Sequence, residues 1–233
     1  NDPAHNPTGL SMSEQGRIAC LETFVDSALN NENVGHTLLI DSAYSLYADE
    51  PFAWADTILN EIENGMMWPD NLLICVAVSL SKSHTIYGLR TGALVSMHPE
   101  KEVTDRLDTV MSVTGRQTWS ATPRVAQFCV SEMHSSEEGG KAWSDERDRL
   151  KDLLDNRRYI LNSECEKLGV AINPTMDGFF AWIESSDPIA VAEKCAENDV
   201  FLVPLNGGVR IGLCALPTDS IPKVAMALSK AMS

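Results

Sequence analysis

Residues 72–78 constrain this chain most. The segment reads LLICVAV, apolar without a break. An amphipathic helix shows apolar residues every third or fourth place, and a half-buried strand shows them at every second. An unbroken apolar run this short reads as a strand covered on both faces. Around it, short apolar runs alternate with helical spacing. Residues 13–30 place Ile18, Leu21, Phe24, Val25 and Leu29 on one helical face. Residues 36–40 (HTLLI) form a second apolar run. Residues 51–67 read as a helix with Pro51 in its first turn, and 92–97 (GALVSM) as a further strand. This alternation predicts an α/β layer with a mostly parallel sheet and helices on both faces.

The second half changes character. Residues 100–113 and 123–133 read as helices. A long charged helix is predicted at 141–168, with Gly169 as its C-cap. FFAWIE (179–184), a helix near 190–197, the strands VFLVPL (200–205) and VRIGLC (209–214), and a last helix from about 218 follow. That order is α+β. A domain boundary is expected inside the long helix, giving 1–145 and a smaller C-terminal domain, 146–233.

Charge narrows the function classes. The 233 residues carry 33 acidic side chains against 18 Lys and Arg, a net charge of −15. Such a surface disfavours nucleic acid and anionic lipid as partners. The six cysteines form no CxxC pair, so no zinc ribbon and no metal site is expected. Cys75 lies inside an apolar run, where a free thiol acts as a small hydrophobe. A reducing, cytoplasmic setting is expected. No apolar run approaches the roughly 20 residues that span a bilayer. The chain starts at Asn1, inside NDPAHNPTG. It is expected to be a fragment or processed product, with any targeting segment in the part that precedes it.

Two strand ends stand out as places for chemistry. In open parallel sheets ligands bind beyond the carboxyl ends of strands. HTLLI delivers Asp41 to one such end, and LLICVAV delivers Ser79, Ser81 and Lys82 to another. A carboxylate and an amine so placed are either a buried ion pair or two holds on one ligand. The stretch SLSKSHTIYGLRTG adds Arg90 and the glycines 88 and 92. Hydroxyls and a guanidinium suit a phosphate dianion. An amine beside a phosphate site suits a Schiff base with an aldehyde cofactor.

Four motifs in order carry a family resemblance. Ser79-Leu80-Ser81-Lys82 with Gly88-Leu89-Arg90-Thr91-Gly92 resembles the lysine motif of class I aminotransferases of pyridoxal-phosphate fold type I. Asn6-Pro7-Thr8-Gly9 looks like their NPTG loop, and Asp41-Ser42-Ala43-Tyr44 like their D-x-A-Y element. Val209-Arg210-Ile211-Gly212-Leu213 looks like the strand bearing a carboxylate-binding arginine. Thr85 and Thr91 depart from the usual signature at side positions.

The resemblance implies roles. Lys82 would attach pyridoxal 5'-phosphate and move the substrate Cα proton. Asp41 would pair with the pyridine nitrogen, and Tyr44 and Asn6 with the phenolic oxygen. Ser79, Ser81 and Arg90 would hold the phosphate, and Arg210 the substrate α-carboxylate. The fold would be the C-terminal half of the large domain plus the small domain of a homodimer acting on amino acids and 2-oxo acids. Arg116, in GRQTWSATP, resembles an arginine that reaches the neighbouring subunit's site and binds a distal carboxylate. That would favour aspartate or glutamate with 2-oxoglutarate, while aromatic substrates stay open. Arg116 can equally be a surface residue on a loop. Asn6-Pro7 can be an ordinary turn, Tyr44 a half-buried aromatic, and Ser79 a partner for a strand-end amide. A β-lyase of the same fold type and an aminotransferase-like domain of a transcriptional regulator are the competing readings.

Overall fold

The computed structural model describes residues 1–232. The chain divides into two compact units. The first comprises Asn1–Asp2, Met12–Ala43 and Glu50–Ser144; the second comprises Pro3–Ser11, Tyr44–Asp49 and Asp145–Ser233.

The first unit opens with helix α1 (Glu14–Asn30), capped where Ser13 Oγ accepts the Gly16 N–H. Strand β1 (His36–Asp41), helix α2 (Ala53–Glu63) and strand β2 (Leu72–Ser79) follow. Their core joins Leu21, Val25 and Ala28 of α1, Leu38 and Ile40 of β1, Trp54 and Ile58 of α2, and Leu72 and Ile74 of β2. Each large side chain buried there contributes about 1.5–3 kcal/mol of transfer free energy. Along the apolar run, Leu72, Ile74 and Cys75 are buried, whereas Val78 is 37% exposed.

β1 and β2 are parallel, with Asp41 opposite Ala77. Strand β3 (Gly92–Met97) joins the far side of β2 antiparallel, with Ser79 opposite Gly92. The sheet is therefore mixed: the parallel expectation holds for β1 and β2 but not for β3. The reason is the connection. A single helical turn, α3 (Leu80–Ser83), and a 3₁₀ turn at Tyr87–Leu89 reverse the chain. A parallel return needs a longer crossover, usually through a full helix. Gly92 suits this tight pairing, because a Cβ there would lie 2.4 Å from Val78 O.

Helix α4 (Lys101–Thr118) buries none of its residues, and α5 (Arg124–Met133) buries only Ala126. Helix α6 (Glu137–Lys167) begins one turn earlier than its charge pattern suggested. Ser136 Oγ accepts the Gly139 N–H, and Glu137 and Glu138 occupy the first turn, where the helix dipole favours acids. A cap and two acids outweigh the poor helix propensity of Gly139 and Gly140.

The second unit contains the remainder of α6, ended by Gly169 at φ +68°. Its strands are β4 (Phe180–Glu184), β5 (Val203–Leu205) and β6 (Gly208–Gly212), paired antiparallel in the order β4-β6-β5. Helices α7 (Pro188–Ala196) and α8 (Ile221–Met232) complete it. Leu161 and Cys165 of α6, Ile183, Ile211, Val224 and Leu228 form its core. The strand expected at 200–205 shrinks to three residues. Val200 N donates instead to Cys195 O at the end of α7, so its amide closes a helix and leaves the ladder. All six cysteines are free. No helix among the described residues is long and apolar enough to cross a membrane, and none of their His, Cys, Asp and Glu cluster to hold a metal ion.

Candidate active site

In the first unit, parallel pairing sets the carboxyl ends of β1 and β2 side by side. Asp41 ends β1, partly buried, and its Oδ1 accepts the Ala43 N–H at 3.1 Å. Its carboxylate forms no ion pair among the described residues. Ser42 ties the two ends together, its N and Oγ each donating to Ala77 O at 3.0 Å.

β2 runs directly into the lysine turn. Ser79 caps α3, its Oγ accepting the Ser81 N–H at 3.3 Å. Ser81 is buried, and Lys82 is half-buried on the same turn. Tyr87 then gathers the cations. Lys82 Nζ lies 5.6 Å and the Arg90 guanidinium carbon 5.0 Å from its ring centroid. Arg90 has a left-handed backbone, φ +51°, which turns the side chain back so that Nη1 donates to Tyr87 O at 2.8 Å. Arg90 pairs with no carboxylate among the described residues. Both cations lie within the distance at which an aromatic ring attracts a positive charge.

The second unit assembles another group. The NPTG loop is closed by Gly9 N donating to His5 O and His5 N donating to Leu10 O. Gly9 has φ +68°, and a Cβ there would lie 2.2 Å from Phe180 O. Its carbonyl accepts the amides of both Met176 and Asp177. Asn6, held by this loop, receives Arg210 Nη1 on its Oδ1 at 3.0 Å. Asn6 Nδ2 in turn faces Tyr44 Oη at 3.5 Å. Phe180 supports both ends of this row: its ring lies 4.5 Å from the Arg210 guanidinium and packs edge-on to buried Tyr44 at 5.6 Å. Arg210, half-buried in β6, has a neutral amide and an aromatic face as partners and pairs with no carboxylate among the described residues.

The aminotransferase class I and II family pattern matches residues 3–228. The chain belongs to this family. Among aminotransferases it is 28% identical over 242 residues to the cytoplasmic aspartate aminotransferase of Gallus gallus, covering 99% of this chain and 53% of that one. A solved aminotransferase from Anaerococcus prevotii superimposes with a TM-score of 0.89 at 27% identity, over 100% of this chain and 55% of that chain. The aromatic-amino-acid aminotransferase of Burkholderia pseudomallei, solved covalently bound to pyridoxal phosphate, shares the fold. Its TM-score is 0.78 at 22% identity, over 99% of this chain and 54% of that chain. The chain spans about half the length of the curated relatives it matches.

Of the aminotransferase residues expected from sequence, Ser79, Ser81, Lys82 and Arg90 lie on or beside the one connection from β2 to β3, and Asn6, Tyr44 and Arg210 form one row. Arg116 stands apart, exposed in the last turn of α4. It is helical rather than in a loop, because α4 continues through Gly115 to Thr118, at the roughly 1 kcal/mol that an interior glycine costs. Tyr87 was missed, although an aromatic between Lys82 and Arg90 was a readable signal. His84 was also missed. Its ring stacks on Trp143 at 4.8 Å and 17°. Burial, and then the facing His134, hold its pKa below the ordinary value.

Proposed function

We propose that this chain carries part of the active site of a pyridoxal-phosphate-dependent aminotransferase, which moves an amino group between an L-amino acid and a 2-oxo acid such as 2-oxoglutarate. The observation that supports it most is the β2–β3 connection, on which Lys82 and Arg90 flank Tyr87 beside Ser79 and Ser81.

The donor set fits the cofactor. A phosphate dianion needs hydroxyls and a guanidinium that no internal carboxylate neutralises; Ser79, Ser81 and Arg90 match that need. A pyridine nitrogen needs a carboxylate to stay protonated, and Asp41 has no cation partner among the described residues. When bound, pyridoxal phosphate supplies an aldehyde for attachment and a protonated ring that accepts the electron pair left at the substrate Cα. Lys82 Nζ would hold the cofactor's aldehyde carbon and would carry the substrate Cα proton to the cofactor's C4′, acting as general base and then as general acid. Asp41 keeps the proton on the ring nitrogen. Tyr44 Oη and Asn6 Nδ2 orient the phenolic oxygen and tune the proton affinity beside it. Arg210 grips the substrate α-carboxylate through its remaining N–H groups in a bidentate fork.

Arg116 binds the distal carboxylate of a dicarboxylic substrate in the partner subunit of a homodimer, which makes aspartate or glutamate the donor. The resemblance of its GRQTWS context supports this. Six free cysteines and the cytoplasmic relative support a cytoplasmic setting.

Borohydride reduction of the holoenzyme followed by peptide mapping tests the reading. The cofactor should be fixed on the peptide containing Lys82, and Lys82→Ala should abolish transamination. A label on another lysine would overturn the assignment.

A further inference from the structure

The turn that carries Lys82 is tied to two helices far along the chain. From α6, Trp143 Nε1 donates to Ser83 O at 3.1 Å. The Trp143 indole also stacks against His84, with ring centroids 4.8 Å apart and planes 17° apart. From the end of α5, His134 brings its Nε2 to within 3.0 Å of His84 Nε2, and its ring meets Trp143 edge-on at 4.8 Å. His84 Nδ1 lies 2.8 Å from Ser83 Oγ.

The proton inventory orients this row. The Ser83 hydroxyl has one hydrogen and donates it to Ser79 O at 3.1 Å. His84 Nδ1 must then be the donor to Ser83 Oγ. A neutral His84 accepts at Nε2, so His134 donates there. The row runs His134 to His84 to Ser83 to Ser79, ending on the carbonyl of a residue proposed to hold the phosphate. Reversing the His84–His134 link accommodates one added proton. A second proton would set two N–H groups face to face and break the bridge.

We propose that His84 is a positioning residue for Lys82, held by Trp143 and His134 so that the lysine turn keeps a single geometry. This rests on the reading of Lys82 as the cofactor lysine. Lys82 and His84 leave the same helical turn two residues apart, so a rotation of that turn moves both. An aromatic stack restrains the ring plane, and the hydrogen-bonded row restrains its rotation. A lysine that must meet both an aldehyde carbon and a substrate Cα proton tolerates little positional error.

The experiment uses three variants of the holoenzyme. His84→Phe keeps a ring over Trp143 but loses both hydrogen bonds. His134→Leu removes the donor at an exposed position, where folding is least at risk. His134→Gln restores an N–H donor. The readouts are the pH midpoint of the bound cofactor's visible absorption change, kcat and KM, and the site of borohydride labelling. His134→Leu and His84→Phe should displace the midpoint and lower kcat by about ten- to a hundredfold, the order expected for a misplaced catalytic group, with KM little changed. His134→Gln should recover most of the loss.

Wild-type midpoint and kcat in His134→Leu, with the label still on Lys82, would overturn the brace and leave the cofactor reading intact. Equal losses in the Gln and Leu variants would overturn it too, since only one of them lacks the donor. A label on another lysine would remove the proposal together with the reading on which it rests. If His84→Phe does not fold, the two His134 variants decide.

Discussion

Arg210 Nη1 donates to Asn6 Oδ1 at 3.0 Å, joining two residues 204 positions apart in sequence. The contact leaves the guanidinium fork with N–H groups to spare, and no carboxylate among the described residues pairs with it. Arg210 is proposed to bind the α-carboxylate, which is common to every amino donor, so Arg210→Ala should lower kcat/KM alike for dicarboxylic and aromatic substrates. Losing a charge-assisted pair costs about 2–5 kcal/mol, or thirtyfold to several thousandfold. Arg210→Lys should recover only part, because a point charge cannot make the bidentate contact. Steady-state kinetics on both substrate types would check this, and a loss on one type alone would contradict it.

Arg116 should behave in the opposite way. Exposed at the end of α4 without an ion pair among the described residues, it is proposed to meet a distal carboxylate in the partner subunit. Arg116→Ala should cut kcat/KM for aspartate and glutamate by about thirtyfold or more and leave phenylalanine or tyrosine nearly unchanged. Equal losses would point to damage at the subunit interface. No loss on either would return Arg116 to the surface.

Asp41 is proposed to hold the proton that makes the cofactor ring an electron sink. Asp41→Ala should therefore lower turnover by several orders of magnitude while the cofactor remains attached to Lys82. An effect below about tenfold, roughly 1.4 kcal/mol of barrier, would reduce Asp41 to closing the β1 end through Ala43.

His84 predicts a pH dependence of stability. Its burial, then the facing His134, lower its pKa from 6.5. From α6 the side chain facing it is Trp143, which carries no charge. A depressed folded pKa means that the native state prefers neutral His84. Its contribution is fully present above the unfolded value near 6.5 and is lost as pH falls through the lower folded value. Urea midpoints of wild type and His84→Phe, measured from pH 8 to pH 5, should show the wild-type advantage shrinking on the acid side. A gap that widens with acid would refute this.

Much of the candidate site's local geometry was legible because the information is local. A strand end followed by S-L-S-K, and another ended by Asp41, follow from an apolar run meeting polar residues, and sequence order alone places them at carboxyl termini. The NPTG loop carries its own signal: Gly9 must adopt φ +68° where any Cβ would strike Phe180 O. The start of α1 and the end of α6 lie close to where Ser13 and Gly169 put them, because caps act within one turn.

What only the tertiary structure decided depends on residues that no local pattern relates. The direction of β3 rests on how the 80–91 connection turns, not on its apolar content. The loss of 200–202 from the sheet rests on whether the Val200 amide finds a strand or the end of α7. Tyr87 lies near both Lys82 and Arg90 through side-chain placements, one of them on a left-handed Arg90 backbone, that no local pattern announces. His84, His134 and Trp143 are unremarkable singly in sequence, and they become a row only when α5 and α6 return to the lysine turn. Periodicity reports which face of an element is apolar. It carries no record of which distant side chain will complete a hydrogen bond, because that is set by packing among elements and not within one.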